Sequence, residues 1–249
     1  MDEGDWRGYL SAFHEERPGV TERVLARCAG DPYGWLTEPL ETTTGWIVDL
    51  ACGSAPTRDR LAGHRWVGVD GSAGELAVAA ARGRGPLVRA DAEALPLAAG
   101  SAEAVCAAMS LQLLTPLDEV LTRVRRVLRA DGILAALVPA RLGFDPRGLL
   151  TWVRVLRALG VRGQSWPNPG ACDGIGGLLT ARGFRVLSSR RRVFGFPVDS
   201  AEALGTLLDG LYLPETSPER IAAARESLRG WARPGRRLPI PLRRVLARP

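Results

Sequence analysis

An apolar run that ends on a carboxylate and enters a loop of small residues constrains this chain more than any other feature. The run Trp46-Ile47-Val48-Asp49-Leu50 continues as Ala51-Cys52-Gly53-Ser54-Ala55-Pro56. The apolar part predicts a buried strand, the small residues leave room for a ligand, and the proline favours a helix start. A second apolar strand, Trp66-Val67-Gly68-Val69-Asp70, also ends on a carboxylate. In a strand–turn–helix–strand unit, Asp49 and Asp70 lie at the carboxyl edge of neighbouring parallel strands, where such folds bind ligands.

The following sequence continues this alternation of strands and helices. Predicted strands occupy residues 46–50, 66–70, 86–89, 103–109 and 132–138. Ser72 and Glu75 form a predicted capping box, and Thr115-Pro116 opens an amphipathic helix that Asp131-Gly132 closes. The alternation predicts an α/β fold, a doubly wound and mostly parallel sheet with helices on both faces.

The two ends of the chain depart from this rhythm. Residues 1–45 are predicted to be helical and to cover the core at 46–139, and residues 140–249 to supply helical insertions and the last strands. A strand is predicted to begin at 184–187, and another at 238–245. The prolines of the last strand predict an exposed or terminal position in the sheet. We expect a single domain of 249 residues.

Composition narrows the class of protein. The net charge is +6, but every one of the 33 basic residues is arginine and the basic runs are short, which favours solvated faces or strand edges over a nucleic-acid groove. No stretch resembles a membrane span or a secretory leader. The four scattered cysteines form no C-x-x-C pair, so we predict a reduced, cytoplasmic protein without a metal site. The sequence does not determine an oligomeric state.

The loop after the first strand separates three classes of nucleotide ligand. A phosphate-binding P-loop requires a lysine, and this chain has none. A dinucleotide loop follows G-x-G-x-x-G, whereas the register here is Ala51-x-Gly53-x-x-Pro56. The third class, S-adenosylmethionine, has no phosphate but has a ribose diol and an adenine. Asp70 is placed to accept hydrogen bonds from the diol, and the segment from Asp91 to Pro96 offers an acceptor and a wall for the adenine.

With these segments in order, the chain resembles the class I S-adenosylmethionine-dependent methyltransferases. The matching segments are Val48–Ser54, Val67–Asp70, Asp91–Pro96 and Val127–Gly132, with a later match at Ala181–Phe184. The resemblance implies a seven-stranded Rossmann-like sheet whose seventh, antiparallel strand lies at 238–246. It also implies S-adenosylmethionine as cofactor and S-adenosylhomocysteine as product.

The resemblance assigns cofactor contacts by position. Asp49 and Gly53 border the methionine moiety, Asp70 holds the ribose, and Asp91 with Ala92 contacts the adenine. We include Ala51, Gly71 and Met109 in the same predicted set. Ala51 and Ala55 depart from the family pattern, which usually has glycine there, and each adds one methyl group where backbone and cofactor come close.

The methyl acceptor is predicted to lie beyond strands four to six. Segments 109–112, 140–170 and 196–237 leave these strands at their carboxyl ends and should form the pocket wall. Their aromatic residues suggest an apolar substrate cavity, for which we predict contacts from Gln112, Phe144, Trp152 and Trp166. Each aromatic residue could instead belong to the core of an inserted helix. His14, at the end of the first predicted helix, is the candidate general base.

Three functions remain open on the sequence. The favoured one is a methyltransferase that acts on oxygen, nitrogen or carbon of a small molecule. RNA methylation is an alternative prompted by the arginines, but the chain lacks an Asn/Asp-Pro-Pro-Tyr motif and any recognisable RNA-binding appendage. The third is a protein that binds S-adenosylmethionine without transferring its methyl group.

Overall fold

Seven strands form one sheet in the computed structural model, which describes residues 2–141 and 145–249. The strands are β1 (Trp46–Leu50), β2 (Arg65–Asp70), β3 (Leu87–Arg89), β4 (Ala102–Ala108), β5 (Leu128–Pro139), β6 (Arg185–Pro197) and β7 (Arg237–Arg248). Their order is β3-β2-β1-β4-β5-β7-β6. The first five are parallel, and β7 is antiparallel to both β5 and β6. This confirms the predicted doubly wound fold with an antiparallel seventh strand.

Ten α-helices accompany the sheet within the described residues. They are α1 (Glu3–Glu16), α2 (Val20–Ala26), α3 (Pro32–Thr37), α4 (Thr57–Arg60), α5 (Ala73–Ala81), α6 (Leu117–Val127), α7 (Pro146–Leu159), α8 (Ile175–Ala181), α9 (Ala201–Asp209) and α10 (Pro218–Leu228). No helix in this part of the chain combines the length and apolar character needed to cross a membrane.

The two faces of the sheet carry separate apolar cores, because successive side chains of a strand point to opposite faces. Ile47 belongs to a cluster that includes side chains of α3, α7, α9 and α10. Its neighbour Val48 belongs to a second cluster, with side chains of α6 and α8. Burial on both faces explains why Ile47, Val48 and Leu50 are all apolar instead of alternating with polar residues.

Two helix predictions need correction at their ends. The helix predicted to begin at Pro56 is a single turn, α4, because the chain turns over residues 61–64, with a φ of 89° at Gly63, before β2 begins. The helix predicted to close at Asp131-Gly132 ends at Val127 instead. Leu128 already pairs with Ala102 as the first residue of β5.

The last two strands correct the predicted sheet edge. β6 begins at Arg185, within the predicted start, and extends to Pro197 because it pairs with β7 over its whole length. β6 forms the edge and β7 lies inside the sheet, so the prediction of an exposed position for β7 is wrong. Its prolines are tolerated because Pro239 and Pro241 precede Leu242, the first β7 residue paired with β5.

Candidate functional site

The loop after β1 has three residues in the left-handed backbone region. Ala51, Gly53 and Ala55 have φ angles of 51°, 54° and 57°. Glycine adopts this region freely, whereas alanine pays about 1–2 kcal/mol for it because its Cβ approaches the following carbonyl oxygen. The loop returns to the sheet through the Cys52 amide, which donates to the Val69 carbonyl oxygen at 3.1 Å. The loop therefore keeps a glycine-like path although two of its positions are alanine.

Asp70 at the end of β2 connects that loop to the next helix. The Gly53 amide donates to its Oδ2 at 2.7 Å, and the Ser72 amide donates to its Oδ1 at 2.8 Å. Burial raises the pKa of the Asp70 carboxyl, and the two amide donors oppose that shift by stabilising the charged form. Each oxygen accepts one bond from the protein and retains a lone pair for a ligand.

Asp91 and Ala92 follow β3 on the same edge of the sheet, and both line the cavity beside Gly71. A Cβ at Gly71 would lie 3.4 Å from Oδ1 of Asp91, which is van der Waals contact, so the two residues are neighbours in the wall. Met109 follows β4 with a φ of 57° and donates its amide to the Leu137 carbonyl oxygen at 2.7 Å. The ends of β2, β3 and β4 thus meet at one crevice, as the positions of the predicted cofactor residues require.

Asp49 occupies a different position from the other predicted cofactor residues. Its side chain is fully buried, accepts a hydrogen bond from the Thr57 hydroxyl, and does not line the cavity. Burial raises the pKa of Asp49 to about 7. Asp49 therefore lies beneath the loop and is placed to support it rather than to contact a ligand.

His14 lies near the end of α1 and lines the cavity together with two polar side chains from other elements. Its Nδ1 is 2.9 Å from Oε1 of Glu75 on α5, and its Nε2 is 3.3 Å from the Tyr212 hydroxyl. The Gly19 amide donates to the second Glu75 oxygen at 2.8 Å. The candidate base is thus held at a fixed place in the cavity wall.

Glu75 shows how a local motif can hide a long-range contact. The predicted capping box forms only in part: Ser72 accepts from the Glu75 amide at 3.2 Å, but the Glu75 carboxylate contacts His14 and Gly19 instead of the Ser72 amide. Sequence reasoning therefore missed Glu75 as a site residue. No local signal identifies its partner, because His14 lies 61 residues away.

The predicted substrate residues are not gathered at the cavity. Gln112 is fully buried and donates its Nε2 to the Met109 carbonyl oxygen at 2.7 Å. Trp152 packs in the core and donates its Nε1 to the Pro239 carbonyl oxygen at 2.7 Å. Trp166 packs against the cluster of Phe13, Val20, Leu113 and Tyr212 without lining the cavity itself. Phe144 lies outside the described residues.

The cavity has a volume of about 460 Å³ and an acidic wall. Its carboxylates come from five side chains: Glu22, Asp70, Glu75, Asp91 and Glu93. The basic residues among the described cavity lining are His14 and Arg7, and the Arg7 guanidinium pairs with Glu93 at 2.9 Å. This balance favours a cationic ligand over a phosphorylated one.

Apolar side chains also line the same cavity. They include Leu10, Met109, Leu113, Leu114 and Tyr212. Tyr33 also lines the cavity, and burial raises the pKa of its hydroxyl well above the ordinary value. The cavity therefore combines acidic groups at the strand ends with an apolar wall under α1.

Comparison with known proteins gives the same fold. The Methyltransferase domain family matches residues 48–136, whereas no curated protein matched the sequence. A candidate methyltransferase of Bacillus halodurans C-125 is 15% identical with a TM-score of 0.60, over 88% of this chain and 99% of that chain.

Two other solved structures carry more specific names. The 4+2 cyclase SpnF is 20% identical with a TM-score of 0.56, over 87% of this chain and 78% of that chain. Phosphoethanolamine N-methyltransferase 2 of Haemonchus contortus was solved with phosphomonomethylethanolamine and S-adenosylhomocysteine. It is 14% identical with a TM-score of 0.58, over 98% of this chain and 60% of that chain. At these identities the likeness establishes the shared fold.

Proposed function

We propose that the chain, whose core at residues 48–136 matches the Methyltransferase domain family, is a class I S-adenosylmethionine-dependent methyltransferase and that it methylates a small, uncharged acceptor molecule. The product of the cofactor would be S-adenosylhomocysteine. The observation that carries this proposal is the crevice in which Asp70, Asp91 and the loop after β1 meet beside an apolar cavity wall.

The residues at the crevice fit this cofactor. Asp70 offers one acceptor on each oxygen for the ribose diol, and Asp91 with Ala92 would border the adenine. Ala51 and Gly53 would border the methionine moiety at the loop.

When bound, the cofactor supplies a methyl group on a positively charged sulfur. Glu22 and Glu93 are paired with arginines. The carboxylates of Asp70 and Asp91 are therefore the ones that suit that charge.

The apolar part of the cavity supports a small acceptor. Leu10, Leu113 and Leu114 would exclude water from the reacting atoms and position an apolar body. An anionic acceptor would face the acidic wall without a free cation among the described lining residues, since Arg7 already pairs with Glu93. We propose that residues 1–45 cover the acceptor, with α1 as the covering element.

His14 is the proposed base. Methyl transfer is an in-line displacement, and the protein accelerates it mainly by alignment of the two reactants. A base adds to this only if the acceptor atom carries a proton, and a well-placed one contributes about 100-fold to 10,000-fold. His14 is the one imidazole in the described cavity lining.

The fold also accommodates binding without methyl transfer. SpnF, which shares this fold, is named for a cyclisation. Ala51 lines the cavity where the methionine moiety would lie, and the bulk of its methyl group there favours this second candidate. The Ala55 methyl group is fully buried and does not line the cavity.

Label transfer separates these functions. The purified protein would be incubated with methyl-labelled S-adenosylmethionine and either a metabolite extract or total RNA. We expect label in the small-molecule fraction and none in RNA. Label in RNA would contradict the proposed acceptor class, and cofactor binding without label in either fraction would support the second candidate.

A further inference from the structure

Three polar side chains form a continuous chain of hydrogen bonds at the cavity wall. Glu75 Oε1 lies 2.9 Å from His14 Nδ1, and His14 Nε2 lies 3.3 Å from the Tyr212 hydroxyl oxygen. The side chains come from α5, α1 and the segment after α9. All three line the cavity.

The direction of each bond follows from the chemistry of the groups. An ionised carboxylate only accepts, so the hydrogen between Glu75 and His14 belongs to Nδ1. In the neutral ring Nε2 then has a free lone pair and accepts the Tyr212 hydroxyl hydrogen. The Tyr212 oxygen accepts from the Thr21 hydroxyl and retains one lone pair, to which a ligand in the cavity can donate.

The geometry of this chain is fixed from both ends. The Gly19 amide holds the second Glu75 oxygen at 2.8 Å, and the Glu75 side chain is only 4% exposed. At the other end, the Tyr9 hydroxyl on α1 accepts the Leu213 amide at 2.9 Å, next to Tyr212. The Tyr212 ring also packs on Phe13, with ring centroids 4.7 Å apart. Because α1 carries Tyr9, Phe13 and His14, one helix positions both the imidazole and the phenol.

We propose that Tyr212, His14 and Glu75 form a proton relay that takes the proton from the methyl acceptor, an uncharged molecule with a hydroxyl group or an acidic C–H as its reacting atom. This inference rests on the proposed methyl transfer and deepens it. Tyr212 would touch the acceptor, His14 would receive the proton, and Glu75 is a positioning residue.

Atoms and charges balance in this step. The acceptor donates its proton to the Tyr212 oxygen while the Tyr212 proton passes to His14 Nε2. The electron pair of the broken acceptor–hydrogen bond forms the new bond to the methyl group, and the pair of the broken carbon–sulfur bond stays on sulfur. The positive charge that leaves the sulfur reappears on His14, beside the Glu75 carboxylate. Burial raises the pKa of Tyr212, so the phenol retains a proton to pass on.

Imidazole nitrogen NMR tests the relay without an acceptor, because the chain has only two histidines. His64, which contacts the Glu41 carbonyl oxygen outside the cavity, is assigned by His64→Gln. We expect neutral His14 to carry its hydrogen on Nδ1. In Glu75→Gln the Gly19 amide still requires the side-chain oxygen, so the new NH₂ group faces Nδ1 and the hydrogen of the neutral ring should move to Nε2. A hydrogen on Nε2 of the neutral wild-type ring, or one that stays on Nδ1 in Glu75→Gln, would overturn the relay.

Activity supplies the second readout, with the same metabolite extract and labelled cofactor. We expect label transfer to fall about 100-fold in His14→Gln and at least about 10-fold in Tyr212→Phe and Glu75→Gln. The affinity for S-adenosylhomocysteine should stay within about twofold in the three variants, and His64→Gln should match the wild type in both measurements. If Tyr212→Phe transfers label at the wild-type rate, the relay is overturned but the proposed function is not. Absence of transfer by the wild type, with cofactor bound, overturns the proposed function and the relay with it.

Discussion

The Gly53 amide donates to Oδ2 of Asp70 at 2.7 Å, and this bond joins the loop after β1 to the end of β2. The Ser72 amide satisfies the other carboxylate oxygen, so Asp70 is oriented by backbone from both sides before any ligand arrives. A carboxylate oriented in this way loses little conformational freedom when it binds a diol.

The first prediction concerns that carboxylate. Asp70→Asn should weaken S-adenosylhomocysteine binding by about 10-fold to 100-fold, because hydrogen bonds to a charged group contribute about 1.5–3 kcal/mol. Titration calorimetry measures the change. Asp118→Asn is the matched control, since this exposed acid pairs with Arg182 outside the cavity. Equal affinities in the two variants would show that Asp70 does not contact the nucleoside.

A second prediction uses the left-handed alanines. Ala51→Gly should raise the free energy of unfolding by about 0.5–1 kcal/mol, because the relief of strain exceeds the entropy that glycine adds to the unfolded chain. Ala55→Gly should raise the free energy of unfolding by less, because the Ala55 methyl group is fully buried and its packing is lost in the variant. Urea unfolding of the two variants and the wild type measures both changes in stability. A loss of stability in Ala51→Gly would contradict the strain assigned to this loop.

The buried carboxyl of Asp49 predicts a pH dependence of stability. Its pKa is about 7 in the folded protein, against about 3.9 in an unfolded chain. The folded state therefore binds more protons between these values, and this group's contribution to stability falls as pH rises from about 4 to about 7. The upper limit of the slope is about 1.4 kcal/mol per pH unit.

Asp49→Asn isolates this effect from other groups, among them Asp70, whose pKa is also raised. The stability of the variant relative to the wild type should be higher at pH 8 than at pH 5, by at least about 1 kcal/mol. Urea unfolding at the two pH values measures the difference. If the difference in stability between variant and wild type is the same at pH 5 and pH 8, ionisation of Asp49 does not destabilise the folded protein.

Gly68 in β2 provides a test of packing beneath the loop. A Cβ at this position would lie 2.5 Å from the Trp66 ring and 2.8 Å from the Cys52 sulfur. Gly68→Ala should therefore destabilise the fold by about 1–3 kcal/mol. Gly177→Ala is the control, because a Cβ there meets nothing within 4 Å and alanine favours the helix. If Gly68→Ala has the same melting temperature as the wild type, β2 and the loop are not in the close contact that the structure shows.

The sequence predicts the core of the sheet well because the signals there are local. The apolar runs that end at Leu50 and Asp70 follow strand periodicity, and the segment from Asp91 to Pro96 falls at the edge that the alternation requires. The full length of β6 could not be predicted from its own residues. Its exposed arginines have only a weak intrinsic preference for a β-strand. Pairing with β7 extends the strand to Pro197.

Apart from His14, the part of the site that could be predicted follows strand ends. Asp70, Asp91 and Met109 leave strands directly, so topology alone places them at the crevice. Glu75 and Tyr212 reach His14 from distant segments, 61 and 198 residues away, and no periodic pattern links them. Trp152 is predicted to contact the substrate but packs in the core. An aromatic residue of an inserted helix can do either, and its sequence does not distinguish the two.

Titration calorimetry of the unmodified chain with S-adenosylhomocysteine and with NAD tests the central claim most directly. If a sulfonium nucleoside is the native ligand of the crevice, S-adenosylhomocysteine should bind at one molecule per chain and NAD should give no heat of binding. Binding of NAD without binding of S-adenosylhomocysteine would contradict the account, because it would assign the acidic crevice to a pyrophosphate.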